Sequence, residues 1–168
     1  MNVSNFYLFQ STQIAAGTAY RVLSDTTLAA PATSIDTGTF SLYNSDKLKI
    51  NLIFGTPSGG VGANLTFNAD GGNNYDWYNL TSAGAATSSA GATSIQTATG
   101  TVTEGSVNAD ISNTAAANKK ITGMSYTAGG RSFWGVWANA TDPITRITVS
   151  TGTAETYPIG TRLVVLGL

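Results

Sequence analysis

The sequence predicts a single all-β domain, a jelly-roll-like antiparallel β-sandwich with no substantial helix. Short apolar runs recur along the chain, and several alternate with polar residues at every second position, the period of a half-buried strand. Threonine, a β-branched residue that favours strands, fills many of the polar positions. No convincing stretch has the i, i+3, i+4 apolar spacing of an amphipathic helix. Many short strands in one domain of 168 residues indicate a sandwich or a barrel.

The first half of the chain carries strand-like runs separated by turn residues. Residues 46–54 are the clearest case, because Leu48, Ile50, Leu52 and Phe54 fall on one face and polar side chains on the other. Glycine, proline, asparagine and aspartate lie between the runs and are typical of turns. The strands predicted in this half are residues 20–23, 34–43, 46–54, 65–67 and 75–80.

The second half begins with a small-residue segment and then returns to strand-like runs. Residues 82–94 are serine, alanine, glycine and threonine, which predicts a flexible surface loop. The strands predicted after it are residues 95–103, 106–112, 119–127, 131–138, 144–150 and 161–166.

The last 25 residues hold two strand-like runs around one polar turn. An apolar run that is left unpaired invites aggregation, so we expect the final run to be buried inside a sheet or against another copy of the chain. Leu166 and Leu168 are therefore predicted interface residues. The pattern is typical of the closing strand of a β-sandwich.

The amino-acid composition argues against several classes of function. Only 10% of residues are charged and the net charge is −1, so electrostatic repulsion between copies is weak and self-association is favoured. The chain has neither histidine nor cysteine, which removes the usual general base, the commonest metal ligand and all thiol chemistry. Eight basic against nine acidic residues argue against a nucleic-acid surface. We expect no secretory signal at the N-terminus and no membrane span.

The N-terminal 18 residues are predicted to be an arm that precedes the sandwich domain of residues 19–168. Phe6, Tyr7 and Phe9 form an aromatic cluster there. The segment is either a first strand with its loop or an arm that packs on a neighbouring subunit, and these three side chains are predicted interface residues.

The carboxylates give little indication of catalysis. Most lie beside glycine, asparagine, serine or proline, where aspartate commonly caps a turn. Asp76 alone lies among aromatic residues, a setting that an acid/base carboxylate could use. A single strand whose side chains alternate between two faces is the better explanation for this order of residues. Residues 68–76 hold many oxygen ligands of the kind that calcium takes, yet their spacing does not match an EF-hand loop and their composition is ordinary for a hairpin. We expect no enzyme activity, no catalytic or cofactor-binding residue, no metal site and no cofactor.

Carbohydrate binding is the alternative function. Tyr75, Trp77 and Tyr78 could offer flat faces on which a sugar stacks. Alternation places Trp134 and Trp137 on opposite faces of one strand, so we expect one of them in the core and the other at the surface or in an interface.

Two segments resemble small virion proteins of tailed bacteriophages. One is Phe67-Asn-Ala-Asp-Gly-Gly-Asn-Asn-Tyr75. The other runs from Trp137-Ala-Asn-Ala-Thr-Asp-Pro-Ile144 through Ile147-Thr-Val149 to Gly160-Thr-Arg-Leu163 and the terminal Leu166-Gly-Leu168. The order and spacing match over about residues 35–168, whereas the first 18 residues look peculiar to this chain. Ala69 stands where that family usually has glycine, and Leu166 stands where it usually has tyrosine.

The resemblance implies a non-enzymatic structural protein of the virion. The role that this resemblance implies first is that of a capsid decoration or cement protein. Such a protein would stabilise the head as a homotrimer and contact the major capsid protein or other virion proteins. A tail- or fibre-associated role comes second, and a host-glycan-binding, lectin-like jelly-roll module is the remaining alternative. No nucleic-acid or membrane partner is expected.

Overall fold

The computed structural model describes residues 19–42, 46–98, 104–126 and 130–168. These residues form twelve β-strands and no helix, so none of them belongs to a helix that could cross a membrane. The strands are β1 (Arg21–Thr27), β2 (Ser34–Asp36), β3 (Lys47–Phe54), β4 (Ala63–Phe67), β5 (Tyr75–Thr81), β6 (Ala86–Ala92), β7 (Ile95–Ala98), β8 (Gly105–Ser112), β9 (Lys119–Tyr126), β10 (Arg131–Trp137), β11 (Ile147–Ser150) and β12 (Arg162–Gly167).

The strands build two antiparallel sheets packed face to face, as in a jelly-roll-like β-sandwich. The large sheet has eight strands in the order β1-β12-β3-β8-β9-β10-β5-β6, and the small sheet has four in the order β2-β11-β4-β7. At one end β7 contacts β5, β9 and β10, and at the other β2 contacts β1 and β12. The small sheet therefore covers the inner face of the large sheet. We call the opposite side of the large sheet its outer face.

Alternating apolar residues of both sheets fill the core, which confirms the predicted fold class. On β3 the side chains of Leu48, Ile50, Leu52 and Phe54 are all buried, as their spacing predicted. The strand pairs with β8 on one side and with β12 on the other, so it lies in the middle of its sheet. Its polar positions point to the outer face.

The C-terminal strand is buried within the large sheet. β12 lies between β3 and β1, and the side chains of Leu163 and Val165 are fully buried. Val164 and Leu166 alternate onto the outer face, where they are half-buried. The prediction of a closing strand inside a sheet is confirmed.

Several predicted segments differ from the structure, and two of the differences have a clear physical reason. Residues 86–92 form the edge strand β6 instead of a loop, because pairing with β5 alone supplies its hydrogen bonds and its mostly exposed face needs no apolar side chains. The strand predicted over residues 34–43 ends at Asp36, whose Oδ1 accepts a 2.7 Å hydrogen bond from the Gly38 amide. Gly38 has a φ of +62°, and the resulting turn stops regular pairing.

The predicted N-terminal arm of residues 1–18 lies outside the described residues, and so do Phe6, Tyr7 and Phe9. All twelve strands belong to the predicted domain of residues 19–168.

Candidate functional site

The turn of residues 67–75 is held by buried packing contacts and hydrogen bonds. Tyr75 is fully buried, and its ring lies 6.1 Å from that of Phe67 and 6.4 Å from that of Trp137. Its hydroxyl accepts a 3.0 Å hydrogen bond from the Phe67 amide and donates one of 3.1 Å to the Asp70 carbonyl. Burial raises the pKa of Tyr75 to about 12. The turn between β4 and β5 is thus closed from the inside by three aromatic rings and one hydroxyl.

The Asp70 carboxylate holds the same turn from its other side. It accepts hydrogen bonds from Trp137 Nε1 at 2.7 Å, from Asn74 Nδ2 at 2.9 Å and from the Gly72 amide at 2.8 Å. The Trp137 bond, followed by that from Asn74, lowers the pKa of Asp70. A cation would have to displace these N–H donors before it could bind here. No group of three or more metal-ligating side chains occurs among the described residues.

Asn68 joins this turn to the second segment of the resemblance. Its Oδ1 accepts hydrogen bonds from the amides of Thr145 at 2.9 Å and Arg146 at 3.1 Å, and its Nδ2 donates to the Pro143 carbonyl at 2.8 Å. Together with the Asp70–Trp137 bond, these contacts make the two segments one hydrogen-bonded unit.

The loops at this end of the sandwich are also held by a buried lysine. Lys119 Nζ donates to the carbonyls of Ala117 at 2.8 Å, Thr114 at 3.1 Å and Asn139 at 3.3 Å. Burial lowers the pKa of Lys119, and the nearby Asp142 carboxylate opposes that shift. The ammonium links the β8–β9 connection to the β10–β11 connection, so its role here is structural.

Several other carboxylates are held by surface partners. Asp36 pairs with Arg146 at 3.0 Å, Asp25 with Arg162 at 2.5 Å, and Asp110 with Lys49 at 3.4 Å. The hydrogen bond from Arg162 lowers the pKa of Asp25. These pairs join neighbouring parts of the two sheets.

The outer face of the large sheet carries the exposed side chains that could contact a partner. At one end lies a group that we call the apolar strip, formed by Val22, Ile53, Val164 and Leu166 on β1, β3 and β12. Charged side chains interrupt it, because Arg162 lies directly opposite Ile53 and Lys49 directly opposite Leu166. Val22 is 62% exposed and Ile53 is 54% exposed. Val22 lies directly opposite Leu166 across the β1–β12 pair.

At the other end lies a shallow aromatic depression. Trp134 on β10 and Tyr78 on β5 are directly opposite each other, and their rings are stacked with centroids 4.2 Å apart at an angle of 20°. Trp134 is 47% exposed. The depression has a volume of about 330 Å³, and its rim includes Asp76, Ser88 and Ser89.

Charged and apolar side chains share the outer face between these two regions. Lys47 and Lys49 lie on β3 and Lys120 lies on β9, and Lys49 Nζ is 5.2 Å from the centre of the Tyr20 ring. These lysines surround Asp110 on β8.

Two exposed apolar side chains lie on the same face of β9. Met124 is 47% exposed and Tyr126 is 58% exposed.

The three predicted glycan-stacking residues differ in their exposure and in the face of the sheet on which they lie. Tyr75 is buried and offers no face to a sugar, so that assignment was wrong. Trp77 is half-buried and packs against the core, whereas Tyr78 lies on the outer face. The predicted split of the other two tryptophans is confirmed, since Trp137 is buried and Trp134 is exposed.

Sequence reasoning missed the pairing of Trp134 with Tyr78. Alternation placed Trp134 on one face of its strand. Its partner Tyr78 could not be predicted, because the register of β10 against β5 joins residues that are far apart in the chain. Of the predicted interface residues within the described part, Leu166 lies in the apolar strip. Leu168 is half-buried beyond the end of β12, and its amide donates to the Lys47 carbonyl at 3.0 Å.

Comparison of the chain with protein-family models, with curated proteins and with solved structures finds no match.

Proposed function

We propose that this chain is a non-enzymatic structural protein of a tailed-phage virion. Its first role would be that of a capsid decoration or cement protein that stabilises the head as a homotrimer, with a tail- or fibre-associated role second. The observation that carries the proposal is the apolar strip, a group of exposed and half-buried aliphatic side chains on the outer face of a chain with few charges.

The strip is suited to contact with a second copy of this chain. Aliphatic side chains on a flat sheet gain free energy when apolar area is removed from water, at about 25 cal/mol per Å². A net charge of −1 opposes that contact only weakly. The strip also lies next to the edge strand β1, where copies can meet.

In a cement role, binding of the assembled chain to the capsid would lower the free energy of the closed shell. A protein that binds the closed shell but not the broken one stabilises the closed shell by mass action. A trimer that contacts several capsid subunits multiplies weak contacts through avidity. The resemblance to virion proteins also supports this proposal. The two segments that carry it, the turn of residues 67–75 and the segment from Trp137, contact each other and maintain the fold.

Light scattering on the purified chain tests the assembly step. At micromolar concentration we expect a species of three times the 17.3 kDa chain mass. Ile53→Asp places a carboxylate directly opposite Arg162 and should shift the protein towards monomer, because burying these charges in a contact costs more in desolvation than their attraction returns. Leu80→Asp is the matched control, since Leu80 is 40% exposed on the outer face of β5, outside the strip.

A monomeric wild-type chain, or an Ile53→Asp variant that assembles as well as wild type, would contradict the proposal. The virion step is tested by cryo-electron microscopy of the particle whose genome encodes the chain. Density for the sandwich on the head supports the decoration role, and density in the tail supports the second one.

A further inference from the structure

The aromatic depression has the composition of a small ligand site. Trp134 and Tyr78 expose rings on the outer face, and the surface around them is mainly apolar. A volume of about 330 Å³ lies at the lower end of the range for ligand pockets. Such sites combine aromatic walls with a few polar groups that fix the orientation of the ligand.

The polar groups stand on the rim. Asp76 Oδ1 accepts a 2.8 Å hydrogen bond from the Gly91 amide, which fixes the carboxylate beside the depression and leaves Oδ2 able to accept from a ligand. Ser88, directly opposite Tyr78, lines the same space, and its hydroxyl can both donate and accept. Ser89 lies opposite Trp77, so alternation turns its side chain to the other face of the strand.

The support behind these groups is rigid. Trp134, Tyr78 and Asp76 stand on paired strands within the large sheet, and Trp77 packs against the core beneath them. Gly135 allows β10 and β5 to approach closely, because a Cβ there would lie 2.9 Å from the Asp76 carbonyl and 2.9 Å from Ile95 Cδ1. A site on strands of this kind needs little reorganisation when it binds.

We propose that the aromatic depression binds a neutral, pyranose-containing glycan. The negative face of an aromatic ring attracts the weakly positive C–H groups on the flat side of a sugar ring. A carboxylate and a hydroxyl are suited to a ligand that presents O–H groups on its edge. Among the residues that line the depression, Asp76 is the charged one, and it repels an anionic ligand. Lys120 lies outside the lining, on β9 opposite Val136. The site is independent of the apolar strip.

A glycan array that carries neutral and acidic oligosaccharides is the first measurement, followed by fluorescence titration with the best neutral oligosaccharide. We expect wild type to bind neutral glycans. Trp134→Ala should weaken binding at least about tenfold, within the range that loss of one stacking ring causes for other flat ligands. Trp134→Phe should recover part of the affinity, and Asp76→Asn should weaken binding several-fold while keeping an acceptor for Gly91.

Tyr126→Ala is the control, because Tyr126 is a 58% exposed aromatic residue on the same face outside the depression. It should bind as wild type does, and all variants should unfold cooperatively well above the temperature of the binding measurement. Absence of neutral-glycan binding, binding to acidic glycans alone, or equal affinity of wild type and Trp134→Ala would overturn the proposal. Ile53→Asp should retain affinity for a monovalent oligosaccharide, so failure of the assembly proposal is recognised separately.

Discussion

The backbone of Ala69 adopts the left-handed conformation, with φ +57°, in the turn that closes β4 onto β5. A side chain with a Cβ disfavours this region by about 1–2 kcal/mol, whereas glycine adopts it freely. Ala69 is exposed, and the turn is held by its neighbours Asn68 and Asp70. Alanine at this position therefore has a local conformational cost.

We expect Ala69→Gly to stabilise the protein by about 0.5–1 kcal/mol, because relief of the left-handed strain exceeds the entropy that glycine adds to the unfolded chain. Urea denaturation measures the change. Ala117→Gly, at an exposed turn position without a positive φ, is the control and should destabilise slightly. A decrease in stability for Ala69→Gly would contradict the strain argument.

At the scale of elements, strands with a strong apolar alternation could be predicted, and weakly patterned ones could not. Leu48, Ile50, Leu52 and Phe54 defined β3 because a central strand must bury one whole face. The edge strand β6 was missed because its mostly exposed residues carry no alternation. The aromatic depression was missed for a different reason, since Trp134 meets Tyr78 only through a register that local sequence does not encode.

The pairing of β9 with β10 depends on a glycine opposite an aromatic ring. Gly123 lies directly across from Phe133, and a Cβ on Gly123 would lie 2.3 Å from the Asn108 carbonyl oxygen and 2.4 Å from Phe133 Cζ. The buried Phe133 ring thus occupies the space that a side chain at this position would need. The Phe133 ring thus fills the part of the core above Gly123, which has no side chain of its own to fill it.

We expect Gly123→Ala to destabilise the protein by about 1–3 kcal/mol, because overpacking forces the ring or the backbone to move. Gly71→Ala is the matched control, since a Cβ there meets nothing within 4 Å and Gly71 does not have a positive φ. Thermal unfolding should show a lower melting temperature for the first variant and little change for the second. Equal melting temperatures would mean that Phe133 can be repacked without cost.

For the whole molecule, the titratable groups with shifted pKa values lie on either side of neutral pH. The chain has no histidine, whose side chain usually titrates between pH 5 and 8. The hydrogen bond from Trp137 lowers the pKa of Asp70. Partial burial raises the pKa of Asp36, but hydrogen bonds from Thr148 and Arg146 outweigh it and leave the pKa lowered. Burial raises the pKa of Tyr75 to about 12.

These directions predict that the free energy of unfolding falls on the acid side of a plateau. On the alkaline side the raised tyrosine pKa lowers stability as pH rises, and the lowered pKa of Lys119 opposes that change. A lowered carboxylate pKa stabilises the fold above the unfolded value of about 4, and that stability is lost as pH falls through the folded value. A raised tyrosine pKa stabilises the fold below about 10, and that contribution is lost as pH rises towards 12. The free energy of unfolding should therefore be nearly constant between pH 6 and 8.

Urea denaturation from pH 2 to pH 8 checks this prediction on wild type and on Asp70→Asn. The variant should lose about 1–3 kcal/mol at pH 7, because it removes a charged acceptor of three hydrogen bonds. Its loss of stability below pH 4 should be shallower than that of wild type, since one proton uptake on unfolding has been removed. Asp110→Asn, which breaks only the exposed pair with Lys49, is the control and should change stability at pH 7 by at most about 1 kcal/mol. A steep change between pH 6 and 8, or an acid slope unchanged in Asp70→Asn, would show that other groups control the pH dependence of this fold.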